Sequence, residues 1–334
     1  MGAVSELPWP AGAATGIGSL PGTDIVEAVK TVFGELPDLP YLPELPARGP
    51  GADMIGRSAG LLRELPVELY AARWRVASRP GTDARRTADL RERDLATLTD
   101  HAAGYHGLLK LQAAGPWTLA TNLELRTGGS VLRDLAAVRD LTASLAEGLG
   151  AHVAEVAARV PGARVLVQLD EASLPAVLAG QVPTESGLRT LPAVDPATVV
   201  QALRAVVDQA GVPVVVHCCA PDAPIRLIRR SGAVGVALDL DLIAELDPLG
   251  EELDGGFGLL AGVAPARGPA PPEPAELTDR IHRLWHRLGL PAERLPGQVV
   301  VTQACGLAGA TPEYARTVLV GCREAARRLA GRDG

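Results

Sequence analysis

The 334-residue chain predicts a single (β/α)8 barrel spanning residues 1–334, and three features carry that expectation. Short apolar runs alternate with longer amphipathic stretches, the pattern of a parallel sheet joined by right-handed helical crossovers. The runs are apolar nearly throughout, as parallel strands covered on both faces require. They number eight, enough to close the sheet on itself.

In chain order, the first run is 13–20, followed by a helix at 24–33. The second, 41–45, is extended but weaker. The segment 49–100 is too long for a simple crossover and is expected to be a helical insertion over one end of the barrel. The third to eighth runs are 108–114, 165–169, 212–217, 234–238, 258–263 and 298–302. Amphipathic stretches at 134–160, 196–209, 224–230, 242–253, 274–288 and 312–329 supply the helices. Asp195-Pro196 and Thr311-Pro312 each place a capping residue before proline at the first helical position. In the last helix Tyr314, Val318, Leu319, Cys322, Ala325, Ala326 and Leu329 recur at helical spacing, opposite arginines. The Pro- and Gly-rich stretch 264–274 is expected to be a surface loop.

Composition narrows the class further. With 47% hydrophobic and 21% charged residues the chain can bury a sizeable core. A net charge of −7 argues against a nucleic-acid binder that works by neutralising phosphates. Four cysteines do not make a disulfide scaffold, MGAVSELPWP has no basic and apolar leader pattern, and apolar stretches such as 212–216 are too short for a bilayer. A cytoplasmic protein with reduced thiols and no membrane partner is expected.

In such a barrel the active site lies at the C-terminal ends of the strands. Metal-binding and polar types gather there from runs distant in sequence. His217 and Cys219 are two apart and so share a side near a strand end, while Cys218 points away. Cys305 sits at the equivalent height after the eighth run. Thiolates and imidazole suit zinc. The competing account makes His217 a satisfied polar residue and the thiols small core groups; on fold alone the two accounts stand level. Asp239 and Asp241 lie on one face of the sixth run. Asp239, nearer the strand end, is the expected fourth ligand, and Asp241 fits a helix N-terminal acid. Asp170 and Glu171 are adjacent and point opposite ways, which excludes a shared acid–base dyad. One should face the mouth and the other an inter-strand ion pair. Glu44 is a second acid that could hold a substrate ammonium. His101, His106, His152, His282 and His286 fall in or beside helices as surface or packing residues. Trp74 and Arg75 either shape a lid or only pack within it.

Five segments, Ile17-Gly18-Ser19-Leu20-Pro21, Gly115-Pro116-Trp117-Thr118, Gln168-Leu169-Asp170-Glu171, His217-Cys218-Cys219 and Ala304-Cys305-Gly306-Leu307, together resemble the catalytic barrel of the cobalamin-independent methionine synthase family. The broader superfamily includes uroporphyrinogen decarboxylase. The similarity covers roughly residues 15–329, and the H-x-C followed about ninety residues later by C-G-L is its specific part. The resemblance implies a methyltransferase of methionine biosynthesis that methylates the thiol of homocysteine. It implies zinc held by His217, Cys219 and Cys305, with Asp239 where the family has a glutamate. Gly18, Ser19 and Asp170 would bind the amino-acid head, and Glu44 its ammonium. The family's histidine after the seventh strand has no counterpart in 263–267, and Asn122 stands in place of a family tryptophan. Both departures bear on the methyl donor, which is either 5-methyltetrahydrofolate or a methylcorrinoid carried by a corrinoid protein. The alternative functions are a corrinoid-linked methyltransferase acting on another thiol and a catalytically silent zinc-binding barrel. The cysteines argue against a decarboxylase-like lyase.

Overall fold

A computed structural model describes residues 7–332. After an extended segment, α1 (Ile25–Glu35) is capped by Asp24, whose carboxylate accepts from the amides of Val26 and Glu27. The excursion that follows contains α2 (Met54–Ala59), a hairpin of β1 (Val67–Tyr70) and β2 (Arg73–Val76), and α3 (Thr82–His101). It is therefore not helical throughout, contrary to the expectation for 49–100. Val67 and Trp74 are buried where Tyr70 and Arg73 are exposed, a strand-like alternation. The turn is made by Ala71 and Ala72, both at positive φ (46° and 65°), in place of the Asn-Gly pair that usually marks such a hairpin.

The barrel then proceeds as β3 (Leu108–Ala114), α4 (Pro116–Asn122), a two-residue β4 (Leu123–Glu124), α5 (Leu135–Arg159), β5 (Arg164–Asp170), α6 (Leu174–Ala179) and α7 (Pro196–Ala210). The second half is β6 (Val214–Cys218), α8 (Ile225–Arg230), β7 (Gly235–Asp239), α9 (Asp247–Asp254), β8 (Gly258–Ala264), α10 (Pro274–Arg287), α11 (Leu295–Gln298), β9 (Val299–Gln303) and α12 (Pro312–Leu329). The helix expected from 242 begins only at Asp247, because Pro248 starts a helix but cannot sit inside one. Residues 265–273 carry no helix or strand. β4 pairs with β2 through Trp74 and Leu123, tying the excursion to the barrel top.

Six strands form one parallel sheet in the order β3-β5-β6-β7-β8-β9. The two remaining positions of the ring are the extended segments 13–20 and 41–45, joined by single parallel bridges: Ala14 to Val301, Ser19 to Glu44 and Tyr41 to Lys110. Backbone bonds reinforce them, including Thr15 N–H to Val301 O (3.1 Å), Leu20 N–H to Glu44 O (2.9 Å) and Leu42 N–H to Lys110 O (3.1 Å). The ring thus has its eight positions, six laddered and two lightly laced.

Two apolar cores follow. One lies between sheet and helices. The other fills the lower barrel with Ala13, Ile17, Leu39, Leu108, Leu166, Val215, Ala237, Leu260 and Val300, one or more from seven positions of the ring and Leu39 from just before the eighth. Trp9 closes that end, its ring so near Gly258 that a Cβ there would stand 2.3 Å from it.

Candidate active site

The same strands turn polar on the inward face as they rise. Leu108 is followed by Lys110 and Gln112, Leu166 by Gln168 and Asp170, Val215 by His217 and Cys219. Period-two alternation puts each set on one wall.

His217 and Asp170 are both buried and pair directly, Nδ1 to Oδ1 at 2.8 Å. The contact with a carboxylate places the ring proton on Nδ1. Nε2 is buried and has no partner among the described residues. Cys219 and Cys305 follow the ends of β6 and β9 and approach to 3.5 Å, sulfur to sulfur. Two sulfurs on one tetrahedral zinc, each bonded at about 2.3 Å, stand roughly 3.8 Å apart, so the thiols are already at the separation a shared metal needs. The hydrogen bond between them lets the pair release one proton readily and hold the second. Cys305 is the favoured thiolate, lowered by that bond and by the Gly306 amide against the effect of burial. Cys219 is pushed upward by the same hydrogen bond and by burial. Cys218, on the opposite face of β6, is buried and pushed up to about 11 by burial.

Asp239 ends β7 but does not join this group: its Oδ1 accepts the Asp241 amide at 3.0 Å, capping the turn Leu240–Leu242. Asp241 pairs with Arg280. Among the described residues no three or more His, Cys, Asp and Glu side chains are drawn together at metal-binding separation. The two thiols stand together, and among the described residues neither His217 nor Asp239 is drawn in to make a third ligand with them.

Asp170 uses Oδ1 for both His217 and Gln168 (Nε2, 2.7 Å). Glu171 faces the other way. It meets no inter-strand cation; instead it accepts from the Trp117 amide (3.1 Å), the Thr118 amide (2.8 Å) and the Thr118 hydroxyl (2.9 Å), capping α4. Burial pushes it up to about 7 against those three bonds. Gly115 is required there, since a Cβ would stand 2.4 Å from Glu171 Oε1.

Glu44 is buried beside the mouth, 3.7 Å from Arg57 Nε, which Asp94 also holds through Nη1 at 2.6 Å. Burial pushes Glu44 up to about 7, with Asp170 adding to the effect and Arg57 and Lys110 opposing it. Gly18 (φ 156°) lies against Gln112, and a Cβ there would stand 3.0 Å from Cγ. Ser19 is half-buried beside Gly306. A cleft of about 780 Å³ opens next to the mouth, between Trp74 of the hairpin, Thr121 and Asn122 of α4, and Glu185. Trp74 thus lines a cavity as well as packing, whereas Arg75 pairs with Glu68 and stacks on Tyr70 (3.9 Å).

Sequence reasoning missed Lys110. It is completely buried, and its Nζ donates to Gln168 Oε1 (2.9 Å), Gln112 Oε1 (3.3 Å) and the Ile17 carbonyl (3.3 Å). Burial lowers it to about 8. A lysine two residues before a glutamine, in a run otherwise apolar, was the available signal.

Residues 12–328 match the family described as the catalytic domain of cobalamin-independent synthase. Among solved structures, a B12-independent methionine synthase from Shewanella sp. W3-18-1, in complex with selenomethionine, superposes with a TM-score of 0.63 at 11% identity, covering 96% of this chain and 98% of that one. A methyltransferase from Methanosarcina mazei gives 0.57 at 12% identity, covering 98% and 94%. At such identities these likenesses speak for the fold. No curated protein sequence matches the chain.

Proposed function

Because the chain belongs to the cobalamin-independent methionine synthase catalytic-domain family, and is a methyltransferase on that ground, we propose that it is a zinc-dependent enzyme that methylates homocysteine to methionine. In this reading residues 1–334 act as one catalytic barrel. The observation that carries the metal is the thiol pair of Cys219 and Cys305, 3.5 Å apart, with the orphaned Nε2 of His217 in the same mouth. His217, Cys219 and Cys305 would hold the ion, and Asp239 would supply the fourth ligand once released from the Asp241 amide. When bound, zinc would supply the positive charge that keeps a substrate thiol ionised near neutral pH.

The chain's own groups do the rest. Asp170 holds the Nδ1 proton of His217 and so commits Nε2 as a lone pair. Among the described residues no hydrogen bond reaches its Oδ2, which would receive the ammonium of an amino-acid substrate, with Glu44 sharing that charge. The backbone at Gly18 and Ser19 would receive the carboxylate. The cleft beside Trp74 and Asn122 would seat the donor, 5-methyltetrahydrofolate; the cobalamin-independent family lends no support to the methylcorrinoid alternative.

The test is metal analysis of the purified protein, followed by methionine formation from homocysteine with methyl-folate and methylcobalamin in parallel. About one zinc per chain and turnover with methyl-folate are expected. Cys219→Ser should lose most of the zinc while Cys218→Ser retains it, since the two face opposite sides of the strand end. Metal-free protein, or equal loss from both substitutions, overturns the reading.

A further inference from the structure

Below the thiols, the polar wall of the barrel is organised around one cation. The Lys110 ammonium is donor-only. Its three partners are all neutral oxygens: the Ile17 carbonyl and the side-chain carbonyls of Gln112 and Gln168. No carboxylate lies within ion-pair distance of it among the described residues. An amide side chain can face either way, and its neighbours decide which. Lys110 holds the oxygen of both glutamines, and the acceptors that face the Gln168 NH2 favour the same orientation. With Oε1 held at 2.9 Å, Gln168 must turn its NH2 upward and inward. That group donates to Ile17 O (2.7 Å) and to Asp170 Oδ1 (2.7 Å). The same oxygen of Asp170 takes the Nδ1 proton of His217 at 2.8 Å. Gln112, held by its oxygen in the same manner, donates through Nε2 to Leu42 O at 2.6 Å, on the segment that carries Glu44.

We propose that Lys110 is a positioning residue: it sets the orientation of the Gln168 amide, and through Asp170 leaves Nε2 of His217 as the nitrogen free for the thiol site. A flipped Gln168 would put a carbonyl oxygen against the Asp170 carboxylate. Asp170 would then lose the donor that shares its Oδ1 and with it the fixed grip on His217. The buried cation therefore acts on the metal site through two intervening side chains and touches none of the four expected ligands. The inference rests on the zinc reading given above.

The experiment measures zinc affinity by competition with a chromogenic chelator, alongside thermal unfolding, for wild type, Lys110→Gln, Gln168→Met and the double variant. Lys110→Gln keeps a polar side chain of similar reach, but its amide can accept as well as donate, so it no longer dictates the flip. A Lys110→Met variant provides the apolar version if it folds. Each single variant is expected to weaken zinc binding about 10- to 100-fold, the range for a partner behind a ligating histidine. The double variant should be no weaker than Gln168→Met alone, because the lysine acts through that amide. Wild-type zinc affinity in folded Lys110→Gln overturns the proposal, as do losses that add in the double variant. A lowered unfolding temperature with unchanged zinc affinity also overturns it, since it marks a purely structural lysine. If wild type itself binds no zinc, the functional reading fails first and the proposal falls with it. If wild type binds zinc and Cys219→Ser does not, failure of the lysine variants counts against the proposal alone.

Discussion

The lower and upper halves of the barrel interior are built by the same strands and differ by two residues of rise. Below, Leu108, Leu166, Val215 and Val300 meet in a buried apolar layer. Above, on the same inward face, stand Lys110, Gln168, His217 and Thr302, all buried. The lower layer is held by shape and area, tolerant of which apolar side chain fills it. The upper layer is held by directed bonds, where each donor's choice constrains the next. The fold thus concentrates its stability in one layer and its chemistry in the next, and substitutions should separate the two.

The largest separation is expected from Leu166→Ala. It should cost about 2–5 kcal/mol of unfolding free energy in urea, as for a large aliphatic side chain removed from a packed layer. Zinc content and turnover per folded molecule should stay at wild-type level. A specific loss of metal from this variant would mean that the layers are not independent.

Asp170→Asn reverses the pattern one layer up. We expect homocysteine binding to weaken by roughly 2–4 kcal/mol, as when a buried charge loses its partner, with only a small change in unfolding. Because Asp170 also grips His217, zinc affinity should fall with it by about 10- to 100-fold. Isothermal titration and chelator competition read the two losses separately. Full retention of both affinities would remove Asp170 from the site.

The smallest effect is a pH slope. Burial holds Glu44 near 7, so it is partly protonated at neutral pH. Binding a substrate ammonium favours the carboxylate form, hence affinity should rise as pH rises through about 7 and fall below it, by at most about tenfold per unit. Methionine, which has the amino-acid head but no thiol to titrate, is the suitable ligand between pH 6 and 8. Glu44→Gln should flatten the slope. An unchanged slope in that variant would assign the titration elsewhere.

The two layers were not equally legible in the sequence. The apolar layer and the ring of eight follow from composition and period alone, since burial on both faces leaves a continuous apolar run. The segment 13–20 and the weaker 41–45 took their places too, though by isolated bridges rather than as laddered strands. The parity that sets Cys218 on the face of β6 opposite His217 was readable for the same reason. The hairpin within 49–100 was not, because Ala71 and Ala72 carry no turn signal. The role of Glu171 was not readable either: a carboxylate capping a helix from a neighbouring strand is a tertiary event without a local pattern. Lys110 illustrates the same limit. Its residue type stood out against the run, but which oxygens it would meet depended on three chain segments brought together by closure.

The uneven lacing of the ring has a consequence for motion. A closed sheet yields where the fewest bonds hold it, and local openings draw on the least protected backbone. Three seams are held in this way, at Ala14 and Val301, at Ser19 and Glu44, and at Tyr41 and Lys110, each tied by a single bridge and two flanking amides rather than a ladder. The segments that would receive the amino-acid head meet along the middle one. A ligand bound across that seam would act as its missing rungs, stiffening the wall at the mouth while the two outer seams stay as they are.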